Sequence, residues 1–412
     1  LLSINNYYYR RGGAEVVFLE QNRMFEDSGW NVVPFAMQHP SNLSSPWSKY
    51  FVDEIEFGAD YSLWEKLLKV PKVIYSFEAR RKLGALLNDA RPDIAHAHNV
   101  YHHISPSIFG VLKRHHIPTI LTLHDLKLAC PAYKMLTHDG ICERCKSGNL
   151  SHVVRNRCVK NSLALSGMIW LEASVQRMLG CYADNVDRFI TPSRFYLEKL
   201  VEWGWDRRRF THIPNFVDVN ALQPDFNIGQ AFLYFGRLAP EKGLGTLIHA
   251  AAQARVPLWI VGTGPEEAAL KQLAADIGSD VQFLGYKTGS ELHELVRRAR
   301  AVVLPSEWYE NAPMSVLEAY ALGRPVIGAA IGGIPELIRE HETGISFASG
   351  NVEDLAAALR QFAGLSGAQL AEMGRAARAW VEKDFTVTRY LERLVHLYGE
   401  FGVGGVINKS AL

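Results

Sequence analysis

The 412-residue chain lacks any excess of charge: 44 Lys and Arg face 43 Asp and Glu, a formal balance of +1. No broad basic field is therefore available for nucleic acid. The basic clusters Arg10-Arg11, Arg80-Arg81-Lys82, Lys113-Arg114 and Arg207-Arg208-Arg209 read singly as solvated surface. No uninterrupted apolar run is long enough to span a bilayer. The opening L-L-S-I reads as a strand and has neither the charged lead-in nor the long apolar core of a secretory signal. The expected setting is cytoplasmic, with peripheral contact at the inner face of the cell membrane left open. Cysteine is also scarce, at five residues, and such a setting disfavours disulfides.

Apolar residues, by contrast, make up 48% of the chain, enough to fill two sizeable cores. The length exceeds what one ordinary core accommodates. Strand-like runs at Leu1–Ile4, Asn31–Phe35, Ile94–His96, Thr119–Leu123 and Arg188–Thr191 alternate with amphipathic stretches such as Ala14–Ser28 and Ser76–Asp89. The pattern restarts with Ala231–Phe235, Leu258–Val261, Val281–Phe283, Ala301–Leu304 and Pro325–Gly328, separated by Gly245–Ala254, Glu266–Ile277 and Ser290–Ala299. This rhythm predicts an α/β fold of two doubly wound Rossmann-like domains with parallel sheets. The aperiodic Ile213–Phe226 segment, with two prolines and two asparagines, is the expected hinge. The reading divides the chain into a first domain over 1–215, a second over 227–375 and a helical segment over 376–412. Leu370–Phe401 reads as one amphipathic stretch that packs back on the first domain. Open sheets bind ligands at the carboxyl ends of their strands, so a two-domain cleft enzyme is expected.

The first strand leads through Asn5–Arg11 into Gly12-Gly13-Ala14-Glu15, where a helix begins. Two glycines allow close backbone approach and a helix N-terminus favours phosphate, although a plain tight turn fits the pair equally well. In the second half, A-F-L-Y-F ends in Gly236-Arg237-Leu238-Ala239-Pro240-Glu241-Lys242-Gly243. Arg237 and Lys242 on this Gly-bounded loop suit a diphosphate, one as a fork and the other as a point charge. Their place after a buried strand argues against ordinary surface cations. Farther on, A-V-V-L-P-S runs into Glu307-Trp308-Tyr309-Glu310-Asn311-Ala312-Pro313-Met314, with Glu318 about two turns into the next helix. Glu310 and Glu318 are too far apart for a tight acid–base pair, so each is expected to grip a different part of one ligand. Carboxylates accept hydrogen bonds from sugar and ribose hydroxyls. Solvated helix acids are the alternative that spacing alone leaves open.

G-R-L-A-P-E-K-G, E-N-A-P-M-S-V-L-E and Gly332-Gly333-Ile334-Pro335-Glu336-Leu337 resemble the signature blocks of family 4 retaining glycosyltransferases of the GT-B fold (glycosyltransferase group 1). The first half agrees through G-G-A-E, P-D-I-A-H-A-H-N, T-L-H-D and T-P-S-R-F, in the same order. The resemblance implies a hexose-type transfer from a nucleotide sugar to a glycan or lipid-linked acceptor, with no metal in catalysis. It places Gly12 and Gly13 at the donor phosphate and Arg237 and Lys242 on the diphosphate. Glu310 falls on the donor sugar and Glu318 on the ribose, while Gly264 lies near the base. Asn311, Ala312, Pro313 and Met314 line the donor. His124 matches the family's cleft histidine beside the reacting sugar, and its place at a strand end before Asp125 fits that role. UDP is favoured on family frequency, with GDP and ADP open. Phe216 stands where the family commonly has Gly. A nucleotide-sugar epimerase and a catalytically silent binding protein of the same fold are the competing readings; Arg237, Lys242 and Glu318 are all intact, against the latter.

Four cysteines crowd together: Cys130, Cys142, Cys145 and Cys158. Cys142-x-x-Cys145 has metal-ligand spacing, and the surrounding segment, about 128–162, reads as an insertion after the His124 strand. Structural zinc and free thiols both fit this pattern; His138 and His152 are substitute ligands, and Cys181 reads as a core thiol. A zinc-dependent nucleic-acid binder would require a higher net charge and leaves the two-domain cleft unexplained.

Overall fold

Each half of the chain folds its short apolar runs into a six-stranded, all-parallel sheet. The computed structural model describes residues 1–54 and 74–404. In the first sheet, β1 (Leu2–Ile4), β2 (Val33–Phe35), β3 (Ala95–Ala97) and β4 (Thr119–Thr122) are followed by a small hairpin, β5 (Leu136–Thr137) and β6 (Gly140–Ile141). The sheet resumes with β7 (Arg188–Thr191) and β8 (Phe210–His212), in the order β2-β1-β3-β4-β7-β8. Strands buried on both faces explain the near-continuous apolar runs: β1 to β4 are buried at every residue.

The second sheet contains β9 (Phe232–Phe235), β10 (Leu258–Val261), β11 (Val281–Phe283), β12 (Val302–Leu304), β13 (Val326–Ala329) and β14 (Gly344–Phe347). Its order, β11-β10-β9-β12-β13-β14, reverses direction between β9 and β12. Such a reversal opens a crevice where the loops leaving two neighbouring strands diverge. The corresponding reversal in the first sheet lies between β1 and β3.

The chain passes into the second unit at Asn215–Val217 and returns at Phe385–Thr386. The two crossings lie side by side: Val217 and Thr386 form a parallel bridge, and Val217 N–H donates to the Phe385 carbonyl at 2.8 Å. Phe216 is buried there, its ring 4.4 Å from that of Tyr390. The stretch read as one amphipathic unit over Leu370–Phe401 is therefore two helices, Gly367–Asp384 and Val387–Gly399. The break follows from local chemistry, because the Thr386 side chain accepts from Arg389 N–H and starts a new helix. The division at 376 is likewise displaced: the helix runs through it to Asp384, burying Ala377 and Val381 in the second core. Only Val387–Gly399 lies on the first unit, where Tyr390, Leu391, Leu394, Leu397 and Tyr398 pack with Val17, Met24 and Phe25.

Candidate active site

The loops leaving β9 and β12 meet at the reversal of the second sheet. Lys242 Nζ lies 2.6 Å from Glu310 Oε1, and Ser306 Oγ donates to the same oxygen at 2.8 Å. Trp308 lies beneath the Lys242 ammonium at 5.2 Å. Glycines make this close packing feasible. Gly243 has φ +65° and a Cβ there would fall 2.0 Å from the Pro305 carbonyl; one on Gly333 would fall 1.9 Å from that of Asn311. The Gly332-Gly333 turn thus braces the backbone that carries Glu310, with Gly333 N–H donating to the Glu310 carbonyl at 2.8 Å.

Helix Met314–Ala321 opens directly after this loop and leaves first-turn amides without helical acceptors. Glu318 lies within it. Burial pushes its carboxyl up to about 7, and among the described residues no group hydrogen-bonds it. A desolvated carboxylate without a partner is costly to keep, so this group is poised for a hydroxyl-bearing ligand. Arg237 is exposed, and Gly264 packs so tightly that a Cβ would meet the Leu238 carbonyl at 2.1 Å.

Across the cleft, Asn311 Nδ2 donates to the Leu123 carbonyl at 2.9 Å, and its Oδ1 accepts from Ser193 Oγ at 2.8 Å. The first bond sets Glu310 and His124, the two candidate catalytic residues, next in sequence to its two ends. His124 Nε2 lies 2.8 Å from His98 Nδ1, and the rings of His96, His98 and His124 form a stack. Burial lowers the His124 pKa to about 4, and burial with the neighbouring imidazoles lowers His98 well below its ordinary value. The stack is therefore neutral near pH 7, able to exchange hydrogen bonds rather than to present charge. Gly12 and Gly13 open helix Gly13–Asp27 and are exposed; apart from its neighbours and its own helix backbone, no atom of the described residues lies within 4 Å of a Cβ built on Gly13.

Several positioning residues escaped sequence reasoning. The Glu336 carboxylate accepts from Arg194 and Phe195 N–H, at 2.8 and 2.5 Å, capping helix Arg194–Glu202 from the other unit. Asn215 Nδ2 donates to the Ala312 carbonyl, and His98 completes the stack. The A-H-A-H-N run contained a signal for His98; the others pair residues far apart in sequence. Among the described residues no three or more His, Cys, Asp or Glu side chains form a ready metal shell, so the four cysteines are not already drawn together as zinc ligands. A cavity of about 400 Å³ beside the insertion is walled by Lys127, Cys145, Arg177, Trp203 and Trp205 among others, and by none of the cleft residues or stacked histidines described above.

The family model described as Glycosyltransferase Family 4 matches residues 11–221, half of the chain, and that described as Glycosyl transferases group 1 matches 226–380. The chain belongs to glycosyltransferase family 4. A glycogen synthase from Mycobacterium tuberculosis is 29% identical over 342 residues, spanning 81% of this chain and 74% of that one. A GDP-mannose-dependent monoacylated alpha-(1-6)-phosphatidylinositol monomannoside mannosyltransferase from Corynebacterium glutamicum is 30% identical over 238 residues, 52% of this chain and 62% of that one. Two solved structures share the fold. Sucrose-phosphate synthase from Thermosynechococcus elongatus aligns with TM-score 0.67 and 19% identity over 97% of this chain and 98% of its own. Anabaena HepE, in complex with UDP and glucose, aligns with TM-score 0.67 and 17% identity over 97% and 99%. As a family 4 glycosyltransferase, the protein transfers a sugar from a nucleotide-sugar donor. No helix among its described residues is long and apolar enough to cross a membrane.

Proposed function

We propose that the donor occupies the crevice at the β9–β12 reversal, with its diphosphate on Arg237 and Lys242 and beside the Gly12-Gly13 turn. Glu310 then takes hydroxyls of the donor sugar, and Glu318 those of the ribose. The first-turn amides after Asn311, Ala312 and Pro313, from Met314 onward, face the same ligand, and Gly264 lies toward the base. The observation that carries this reading is the Lys242–Glu310 pair at 2.6 Å, a cation and a carboxylate converging where an open sheet receives its ligand. Donor binding exchanges their partners: Lys242 turns to phosphate and Glu310 to hydroxyls.

In this reading the sugar is transferred with retention. The glycosidic bond to phosphate breaks first, and Arg237 and Lys242 stabilise the charge gathering on the departing diphosphate. The acceptor hydroxyl attacks the same face of a short-lived oxocarbenium-like ion, and donor phosphate takes its proton. No protein nucleophile and no catalytic metal enters this scheme. Neutral His124, held by His98, orients the reacting sugar through hydrogen bonds.

UDP is the favoured nucleotide, supported by the fold shared with a UDP-bound protein, and the acceptor is a glycan or a lipid-linked sugar. The proposed setting is the cytoplasm, with peripheral membrane contact through helix Leu163–Met178. Leu163, Trp170, Leu171 and Met178 are exposed there at spacings that place them along one side. A thermal-shift panel of UDP, GDP, ADP and their sugar conjugates tests the donor site, since selective binding raises Tm by mass action. UDP and a UDP-sugar should give the largest shifts. A larger GDP or ADP response overturns the nucleotide, and no response from folded protein overturns the site.

A further inference from the structure

The insertion over about 128–162, which lies between β4 and the helix Leu163–Met178, has little to hold it together. Its regular structure is limited to the two-residue strands β5 and β6, a turn at Arg144–Ser147 and one helical turn at His152–Arg155. Yet this segment supplies contacts across the cleft to both donor-side loops. Lys134 Nζ lies 2.8 Å from Glu241, next to Lys242. Glu143 Oε1 accepts from Tyr309 OH at 2.8 Å, next to Glu310, and from Lys199 Nζ at 2.9 Å. Both reaching side chains are bracketed by cysteines: Lys134 lies between Cys130 and Cys142, and Glu143 inside Cys142-x-x-Cys145.

All four cysteines of the segment are free thiols, and all four line one cavity of about 10 Å³. That space matches a single ion or water, far below the size of an organic ligand. Met135, Leu136, Val153 and Trp203 wall it with apolar surface. The chain is folded around the first sulfur: Tyr133 and Met135 take positive φ values of 56° and 48°, and the Ala132 and Met135 amides hydrogen-bond Cys130. Amide donors to sulfur are the outer contacts that orient a thiolate ligand.

We propose that Cys130, Cys142, Cys145 and Cys158 bind one zinc ion, and that the bound ion fixes Lys134 and Glu143 as a latch across the donor cleft. Four thiolates are a soft, tetrahedral donor set that suits zinc. The thiols surround the cavity without forming a ready shell, so loading draws them inward and releases their protons. The effect of the latch on the donor rests on the cleft reading given above, whereas the metal site does not.

The test is metal content of full-length protein purified under reducing conditions, read by elemental analysis. One zinc per chain is expected, with Cys142→Ser/Cys145→Ser reduced to trace zinc. A metal-free wild-type chain, a disulfide pair among these cysteines, or iron in place of zinc overturns the site. If the double variant fails to fold, chelator dialysis of wild type followed by zinc replacement gives the same readout. Glu143→Gln should keep its zinc and raise donor KM about tenfold, the loss of one charge-assisted hydrogen bond, with a smaller change in kcat. Full zinc with unchanged donor KM in Glu143→Gln overturns the latch alone. A wild type that carries zinc but ignores every nucleotide sugar overturns the cleft reading and leaves the metal site standing.

Discussion

Replacing Glu318 by Gln should stabilise the protein while weakening its hold on the donor. The carboxyl ionises at about 7 in the fold against 4.5 in an unfolded chain, a gap worth about 3 kcal/mol. An acid whose folded value is raised carries no penalty below pH 4.5. The penalty grows as pH rises and is complete above about 7. Because the residue keeps partial contact with solvent, about half of that figure is the working expectation. E318Q should therefore melt about 3–6 °C higher than wild type at pH 8 and no higher near pH 4.5. Binding runs in the opposite direction. A ribose hydroxyl donating to an ionised carboxylate contributes about 1.5–3 kcal/mol, so E318Q should bind a nucleotide sugar at least about tenfold more weakly at pH 8. Wild-type affinity should fall as pH drops below 7, because the carboxyl must give up its proton to accept, whereas the variant should show no such fall. Calorimetric titration and thermal melts at matched pH provide both readouts. Equal affinity, together with equal melting temperature at pH 8, would refute the argument.

The histidine stack sets an acid limit. Buried His124 and His98 remain neutral in the fold but protonate when unfolded, so stability should fall by about 1.4 kcal/mol per pH unit for each as pH drops from 6.5 toward 4; a urea midpoint flat between pH 6.5 and 5 would contradict this. His124→Ala should lower turnover far more than donor affinity, and wild-type turnover would remove it from the site. Gly333→Ala should cost about 1–3 kcal/mol and donor binding, because its methyl group collides with the Asn311 carbonyl. Gly13→Ala should leave stability within about 1 kcal/mol, so weakened donor binding in that variant would report the ligand's approach to the backbone. Glu172→Ala strands the buried Lys127 ammonium, 3.0 Å from its carboxylate, and should cost about 3–5 kcal/mol in denaturant unfolding.

The central strands were legible because strands covered on both faces run nearly continuously apolar, as Val302–Leu304 does throughout and Thr119–Thr122 does at Ile120 and Leu121. β8 and β14 were not. Phe210-Thr211-His212 is a three-residue edge strand following three arginines, and Gly344–Phe347 is an edge strand opened by glycine. Neither has an apolar run to announce it. At the site, Lys242 and Glu310 were legible as residues on loops after strands, but their 2.6 Å contact joins positions 68 apart. The bonds from Asn311 to Leu123 and Ser193, and from Glu336 to Arg194 and Phe195, have no local pattern either. Such partners are chosen by the way two domains meet, which spacing along one chain does not encode.

The adjacent crossings at Val217 and Thr386 make the second unit a cassette whose two ends are already together. Everything from Val217 to Phe385 is spliced into the first unit, which is completed only by the returning helix Val387–Gly399. A truncation after Phe385 would strip Tyr390, Leu391, Leu394, Leu397 and Tyr398 from the core of the first unit while leaving the core of the second whole. An exchange of the cassette between relatives need rejoin only two neighbouring backbone segments. The architecture thus permits the second unit to be exchanged as one module while the first, closed by the returning helix Val387–Gly399, is inherited intact.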